Sequence, residues 1–299
     1  MNPTALAWKL VPKIPAPLAR WLFDLVADAV WLVRGKGVRQ LEANLRRVVS
    51  DSSRTSLRRL SRQSMRRYLR YYCEAFQLPT WSGGRIDQMV RLDGADAADR
   101  AFGQARQAVG ALAHMGNWDL AGAWACRHLE PVITVAERLK PEEAFQEFLA
   151  MRQALGLRII PLEKGKPAFP ELLAAVRSTD RWLAPLLAER DLGRSGVEVT
   201  FFGEPALVAA GPAALALAVE RPLAPIAMWR DGPGYVLHFG EVIAVPEASS
   251  RAERIQIMTQ AWVSVLEEQI RLHPADWHML QKVFVADLDP AKRQRLAGA

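Results

Sequence analysis

Between residues 18 and 33 the apolar residues Leu18, Trp21, Leu22, Leu25, Val26, Ala29, Val30 and Val33 recur at i, i+3, i+4 and i+7, the spacing of one stripe along an α-helix. Arg20, Asp24 and Asp28 return every fourth residue on the other side. Three charges within about 16 residues are too many, in too short a stretch, for a bilayer span. The pattern predicts a helix that lies on something instead of crossing it. A second helix is expected over residues 55–76, with Leu57, Leu60, Tyr68, Leu69 and Tyr72 on one flank and Arg58, Arg59, Arg62, Arg66, Arg67 and Arg70 on the other. After Gly83-Gly84 short apolar runs alternate with helical stretches. Strands are expected at 109–113, 132–135, 158–161, 182–188, 197–202, 224–229 and 235–245. Helices are expected at 118–127, 141–154, 167–178 and 211–220, and a long amphipathic one at 250–272. This rhythm predicts an α/β fold, a central mostly parallel or mixed β-sheet flanked by helices. Residues 1–82 would form a basic helical part packed on a core of residues 83–299.

Composition narrows the class. Of 299 residues 50% are apolar and 24% charged, ordinary values for a soluble globular chain, which excludes disordered, collagen-like and polytopic membrane classes. Two cysteines, Cys73 and Cys126, supply neither a disulfide framework nor a zinc site, so a reducing setting and no metal are expected. The first 20 residues lack the continuous apolar stretch and cleavage site of a secretory signal. The net charge of +7 is uneven: residues 1–70 hold 15 Lys/Arg against four Asp/Glu, or +11, and the rest, with 24 basic and 28 acidic residues, carries −4. A basic N-terminal quarter points to a polyanion or an anionic membrane surface, where basic side chains contribute ~1 kcal/mol each. No nucleic-acid reading motif accompanies it, so a membrane surface is favoured over nucleic acid.

The candidate chemistry sits in Ala111-Leu112-Ala113-His114-Met115-Gly116-Asn117-Trp118-Asp119-Leu120. A strand ends at His114, Gly116 permits a sharp turn, and Asn117 is the N-cap of the next helix. Within one straight helix His114 and Asp119 would lie about 500° apart in rotation and would not share a face. Across a strand–turn–helix junction the Asp119 carboxylate can fold back onto the imidazole, fixing its tautomer and supporting the imidazolium, so that His114 serves as a general base. Ser195 lies outside any G-x-S-x-G elbow, and Cys126 falls well inside the following helix, so neither is a convincing nucleophile.

His-x-x-x-x-Asp at a strand end, here HMGNWD, resembles the signature of the glycerolipid and lysophospholipid acyltransferase superfamily, and H-x-G-N-W-[DE] is similar to its lipid A acyltransferase branch. Asn44-Leu45-Arg46-Arg47-Val48, Tyr71-Tyr72-Cys73-Glu74-Ala75-Phe76, Glu189-Arg190-Asp191-Leu192, Gly196-Val197-Glu198-Val199 and Pro274-Ala275-Asp276-Trp277-His278-Met279 resemble further blocks of that branch. Ala136-Glu137-Arg138-Leu139-Lys140-Pro141, the Glu189 block and the tail His273–Gln281 look most like the actinobacterial phosphatidylinositol mannoside acyltransferases. The lack of the N-terminal transmembrane anchor usual in lipid A enzymes departs from that pattern and favours the peripheral, mannoside-directed subgroup.

The resemblance implies transfer of a long acyl chain, typically palmitoyl, from acyl-CoA to a mannose hydroxyl of a phosphatidylinositol mannoside at the cytoplasmic face of the plasma membrane. Acyl-CoA would be a co-substrate, with no bound cofactor, and the protein a peripheral monomer. His114 would be the base and Asp119 its support. Glu189 and Glu198 are two candidates for a further carboxylate near His114, which spacing does not separate. Arg152, Arg190 and Arg194 are candidates for acceptor or coenzyme phosphates, since arginine presents a planar fork to such groups. Asn117, Trp118 and Asp191 belong to the matched motifs and join them as candidate substrate contacts. His128, His238, His273 and His278 have no partner assignable from spacing and are read as structural. A lipid A-type or lysophospholipid acceptor, a thioesterase using water, and a non-enzymatic scaffold on the Arg58–Arg70 face remain as alternatives.

Overall fold

The computed structural model of the chain describes residues 3–138, 140–163, 167–191 and 196–290. Four helices open it: α1 (Pro3–Leu10), α2 (Ala16–Val33), α3 (Lys36–Val48) and α4 (Arg54–Gln77). There follow α5 (Gly83–Met89), β1 (Val90–Asp93), α6 (Ala95–Phe102), β2 (Gln107–Leu112), α7 (Trp118–His128), β3 (Ile133–Glu137), α8 (Glu142–Ala154) and β4 (Arg158–Leu162). The chain continues through α9 (Phe169–Arg177), β5 (Trp182–Leu187), β6 (Val197–Phe201), β7 (Glu204–Val208), α10 (Gly211–Val219), β8 (Leu223–Asp231), β9 (Gly234–Phe239) and α11 (Arg251–Leu272).

Five strands form a mixed sheet in the order β1-β9-β8-β2-β5, in which only the β8–β9 pair is antiparallel. The parallel pair β3–β4 continues the sheet beyond β5 through a single bridge between Val132 and Leu183, and β6–β7 is a separate hairpin. Helices cover both faces, so the central strands alternate between two cores. Val109 and Ala111 of β2, with Trp182, Ala184 and Leu186 of β5, pack with Trp262 and Leu266 of α11 in one core. Ala108 and Leu183 face the other, with Leu120 of α7. Strands β2–β6, β8 and β9, helices α7–α11, and α2 and α4 lie where the hydrophobic pattern predicts them. The pattern passes over α1, α5, α6 and β7, over β1, whose sequence VRLD has one buried position, and over α3, although Val38, Leu41, Leu45 and Val48 recur at helical spacing and are all buried there. β9 ends at Phe239, short of the expected 245: Gly240 N–H still donates to Pro225 O at 2.8 Å, but the register then slips by one and only an isolated bridge, Leu223 to Ile243, follows.

The N-terminal helices reverse one expectation. The polar side of α2 faces inward: Arg62 Nε and Arg66 Nε donate to Asp28 Oδ1 at 2.9 and 2.8 Å, and Arg70 Nη2 donates to Asp24 Oδ2 at 2.8 Å. Arg58 pairs with Glu42 of α3, and Arg67 with Asp276. The arginine flank expected to meet an anionic surface is therefore largely spent on internal ion pairs, leaving Arg59 outward. Two arginines on one carboxylate hold Asp28 well below the usual carboxylate range. The apolar stripe of α2 is what faces out: Trp21, Leu25, Val26, Val30, Leu32 and Val33 are 42–80% exposed. Lys9 and Lys13 before it and Lys36 and Arg39 after it are also exposed.

Candidate active site

β2 and β5 run parallel in a register that places Leu112 beside Leu187, and Ala188 N–H donates to Leu112 O at 3.0 Å. Two residues beyond each strand, at the carboxyl ends where α/β sheets carry their sites, stand His114 and Glu189. Glu189 is 1% exposed and accepts three hydrogen bonds from one residue: the His114 backbone N–H to Oε1 at 2.6 Å, and the ring Nδ1 at 2.9 Å to both oxygens. Burial works to raise this carboxyl, and the His114 charge and hydrogen bonds outweigh it, so it lies below the ordinary glutamate range. With Nδ1–H given to a carboxylate, Nε2 keeps its lone pair on the side of a half-exposed ring that lines the cleft.

This corrects the pairing expected from spacing. Glu189, not Asp119, orients the imidazole. Asp119 is 2% exposed and lies in the first turn of α7, where it accepts Arg152 Nε at 2.7 Å, Arg152 Nη2 at 3.3 Å and the Tyr71 hydroxyl at 2.7 Å. Burial opposes the Arg152 charge, but the Asp119 carboxylate outweighs that and raises its pKa. Both residues line the same cleft as His114. The turn itself is as the sequence suggests. Gly116 has φ +64°, and a Cβ there would lie 2.5 Å from Met228 O, so close backbone approach and a left-handed conformation both require glycine.

The other candidates separate. Trp118 and Arg190 line the cleft, the first with its ring 5.3 Å from that of His114, the second reaching Glu137 at 3.5 Å. Asn117 is a buried cap, not a cleft residue: its Oδ1 accepts Leu120 N–H at 3.0 Å and its Nδ2 donates to Glu74 at 3.0 Å. Glu198 is exposed on β6 and, like Asp191, outside the cleft lining. Arg194 lies outside the described residues. The sequence reading missed Tyr68, Tyr71 and Tyr72 of α4 and His278, which also line the cleft. His278 is buried with its Nε2–H directed to Gly116 O at 3.1 Å. The signal lay in the YYCEAF and PADWHM blocks, where nothing in the spacing reveals what each residue meets.

The cleft encloses about 270 Å³ and has two halves. At its polar mouth stand His114, Arg152, Arg190, His278 and the α4 tyrosines. Inward it passes between α7 and the sheet, lined by Ala121, Gly122, Ala125, Leu183, Ile226 and Phe239. The small residues of α7 make that room.

The model of the bacterial lipid A biosynthesis acyltransferase family matches residues 4–285. The chain is 40% identical over 293 residues to a phosphatidylinositol mannoside acyltransferase of Mycolicibacterium smegmatis, a match covering 98% of this chain and 93% of that one. It is 37% identical over 295 residues to a phosphatidylinositol mannoside acyltransferase of Mycobacterium tuberculosis, covering 98% and 90%.

Proposed function

Given that the chain belongs to the bacterial lipid A biosynthesis acyltransferase family, among relatives that acylate phosphatidylinositol mannosides, we propose that it transfers a long acyl group, palmitoyl or close to it, from acyl-CoA to a mannose hydroxyl of such a glycolipid. What carries this reading is the His114–Glu189 pair at the mouth of an apolar cleft. The sugar hydroxyl gives its proton to His114 Nε2 as its oxygen attacks the thioester carbonyl carbon. Glu189 supports the imidazolium that forms. Collapse of the tetrahedral intermediate breaks the C–S bond, and the imidazolium proton goes to the departing sulfur, leaving an ester and free coenzyme A. A positioned base of this kind contributes roughly 10²–10⁴ in rate. Asp119 acts at one remove, by holding Arg152 and the start of α7.

The apolar half of the cleft takes the acyl chain, whose 15 or so buried carbons are worth up to ~12 kcal/mol before ordering costs. Arg190, which lines the cleft, takes an anionic group of donor or acceptor. The exposed stripe of α2, bracketed by Lys9, Lys13, Lys36 and Arg39, rests on an anionic bilayer at the cytoplasmic face. Among the described residues no helix is long and apolar enough to cross a membrane.

The test is release of coenzyme A from palmitoyl-CoA with and without purified phosphatidylinositol mannosides, with the lipid product followed by mass. Release that requires the mannoside, gains one palmitoyl mass on the lipid, vanishes in His114→Ala and falls at least ~10²-fold in Glu189→Gln is the expected outcome. Release without acceptor would make the protein a thioesterase, and full activity in His114→Ala would refute the base.

A further inference from the structure

α4 meets the HMGNWD junction with a face of its own. Arg67, Tyr71 and Glu74 recur at i, i+4 and i+7, so they share one side of the helix, roughly 100° round from the Arg62, Arg66 and Arg70 side that grips α2. Each reaches a different part of the junction. Glu74, 1% exposed, accepts Asn117 Nδ2 at 3.0 Å and the Tyr235 hydroxyl at 2.7 Å, with Arg230 Nη1 at 3.2 Å. That leaves Asn117 Oδ1 on the Leu120 N–H at the start of α7. Tyr71 donates its hydroxyl to Asp119 Oδ2 at 2.7 Å, and its ring centroid lies 4.0 Å from that of Trp118.

Arg67 acts through the C-terminal segment. It pairs with the carboxylate of Asp276, whose backbone carbonyl accepts Gly116 N–H at 3.0 Å. Two residues on, His278 donates its backbone N–H to His114 O at 2.8 Å and its Nε2–H to Gly116 O at 3.1 Å. The peptide groups of residues 114–116 are thus clasped by residues 276–278, and residues 276–278 are anchored by α4.

We infer that Arg67, Tyr71 and Glu74 are positioning residues that hold the loop bearing His114 in register with Glu189. A loop between a strand and a helix is free to shift unless its peptide groups are bound, and a shift of about 1 Å at a reacting group costs on the order of 10²-fold in rate. Apolar packing alone tolerates such sliding. Directional hydrogen bonds from a rigid 24-residue helix do not. The three residues span three consecutive points, the turn, the cap and the first helical turn, which is what fixing both position and orientation of the loop requires.

This inference rests on the proposed acyl transfer, so its test has one readout that depends on that reaction and one that does not. In the full chain, Tyr71→Phe keeps the ring on Trp118 and removes only the hydroxyl bond. Arg67→Gln removes the anchor of residues 276–278, and Arg67→Lys retains its charge. The readouts are native amide hydrogen exchange of residues 113–117, and kcat, KM for palmitoyl-CoA and thermal midpoint. The expected result for Tyr71→Phe is faster exchange, a midpoint lowered by the loss of one buried hydrogen bond to a charged group, KM within about twofold and kcat roughly tenfold lower, as for a small displacement of the base. In an Asp119→Ala background, which leaves the hydroxyl no side-chain acceptor at that position, the same change adds no further loss, because the hydroxyl acts through that carboxylate. Arg67→Gln loses kcat in the same way and Arg67→Lys recovers most of it. Unchanged kcat in both Tyr71→Phe and Arg67→Gln, or a raised KM with kcat retained, overturns the inference whatever the exchange shows. If the wild type moves no acyl group to the mannoside, the proposed reaction fails, and exchange alone then decides: unaltered protection of residues 113–117 in both variants overturns the positioning role and lost protection upholds it.

Discussion

A histidine buried beside the turn that follows β2 illustrates how residue chemistry depends on surroundings. Burial pushes His278 down to about 3, with the nearby His114 and Arg67 charges adding to it against the one hydrogen bond to Gly116 O. The ring is therefore neutral at pH 7 in the folded chain, while in the unfolded chain it takes up a proton below the ordinary histidine pKa near 6.5. The unfolded state then binds more protons, so this contribution to stability is full above pH 6.5 and is lost as pH falls toward 3. Asp276, which burial pushes up to about 6, titrates nearby with the opposite sign and is common to wild type and variant. The difference in unfolding free energy between wild type and His278→Gln, from urea midpoints, is expected to shrink by about 1 kcal/mol per unit as pH falls from 6 to 5; a constant difference would mean that the ring is not held neutral. At this scale the sequence displayed His114, Gly116 and Asn117 in their local roles, because those roles belong to a few contiguous residues. It did not display Glu189 against His114, a contact across 75 positions that depends on strand register.

At the scale of the element, α2 and α4 show what helical periodicity can and cannot say. The stripe of α2 is as regular as the spacing predicts, yet it faces away from the body, because Asp24 and Asp28 meet Arg62, Arg66 and Arg70 of α4 at matching intervals of four residues. Periodicity separates two faces of a helix and is silent on which one the fold covers. An exposed row of Trp, Leu and Val with basic residues at both ends is the form of a helix that embeds in a membrane interface. Leu25→Asp and Val26→Asp, each removing a side chain worth about 1.5–3 kcal/mol when buried, are expected to weaken binding to vesicles containing anionic lipid by at least tenfold in a sedimentation assay. Their thermal midpoints in solution should stay unchanged, since both side chains are about half exposed. Vesicle binding equal to wild type would remove α2 from the interface.

Over the whole molecule, the cleft exists because α7 carries small residues where it crosses the sheet. A Cβ on Gly122 would lie 2.8 Å from the Leu157 Cδ2, the far end of a flexible side chain that can move aside, so a larger residue there fills the cleft and spares the fold. Gly122→Leu is expected to shift the preferred donor to shorter acyl chains, read as kcat/KM across a series of saturated acyl-CoA esters, with His114-dependent turnover of the shorter esters retained; an unaltered chain-length profile would exclude this part of the cleft from the acyl site. The α/β class, the main strands and helices and the strand–turn–helix junction that carries His114 were legible along the chain, because each rests on local periodicity, a turn glycine or a contiguous motif. Residues distant in sequence were brought together by tertiary structure alone: Glu189 onto His114 by the parallel register of β2 and β5, Arg152 and Tyr71 onto Asp119, residues 276–278 onto the turn at 114–116, and the arginines of α4 onto α2. Such contacts are set by chain topology and burial, which one-dimensional spacing does not encode.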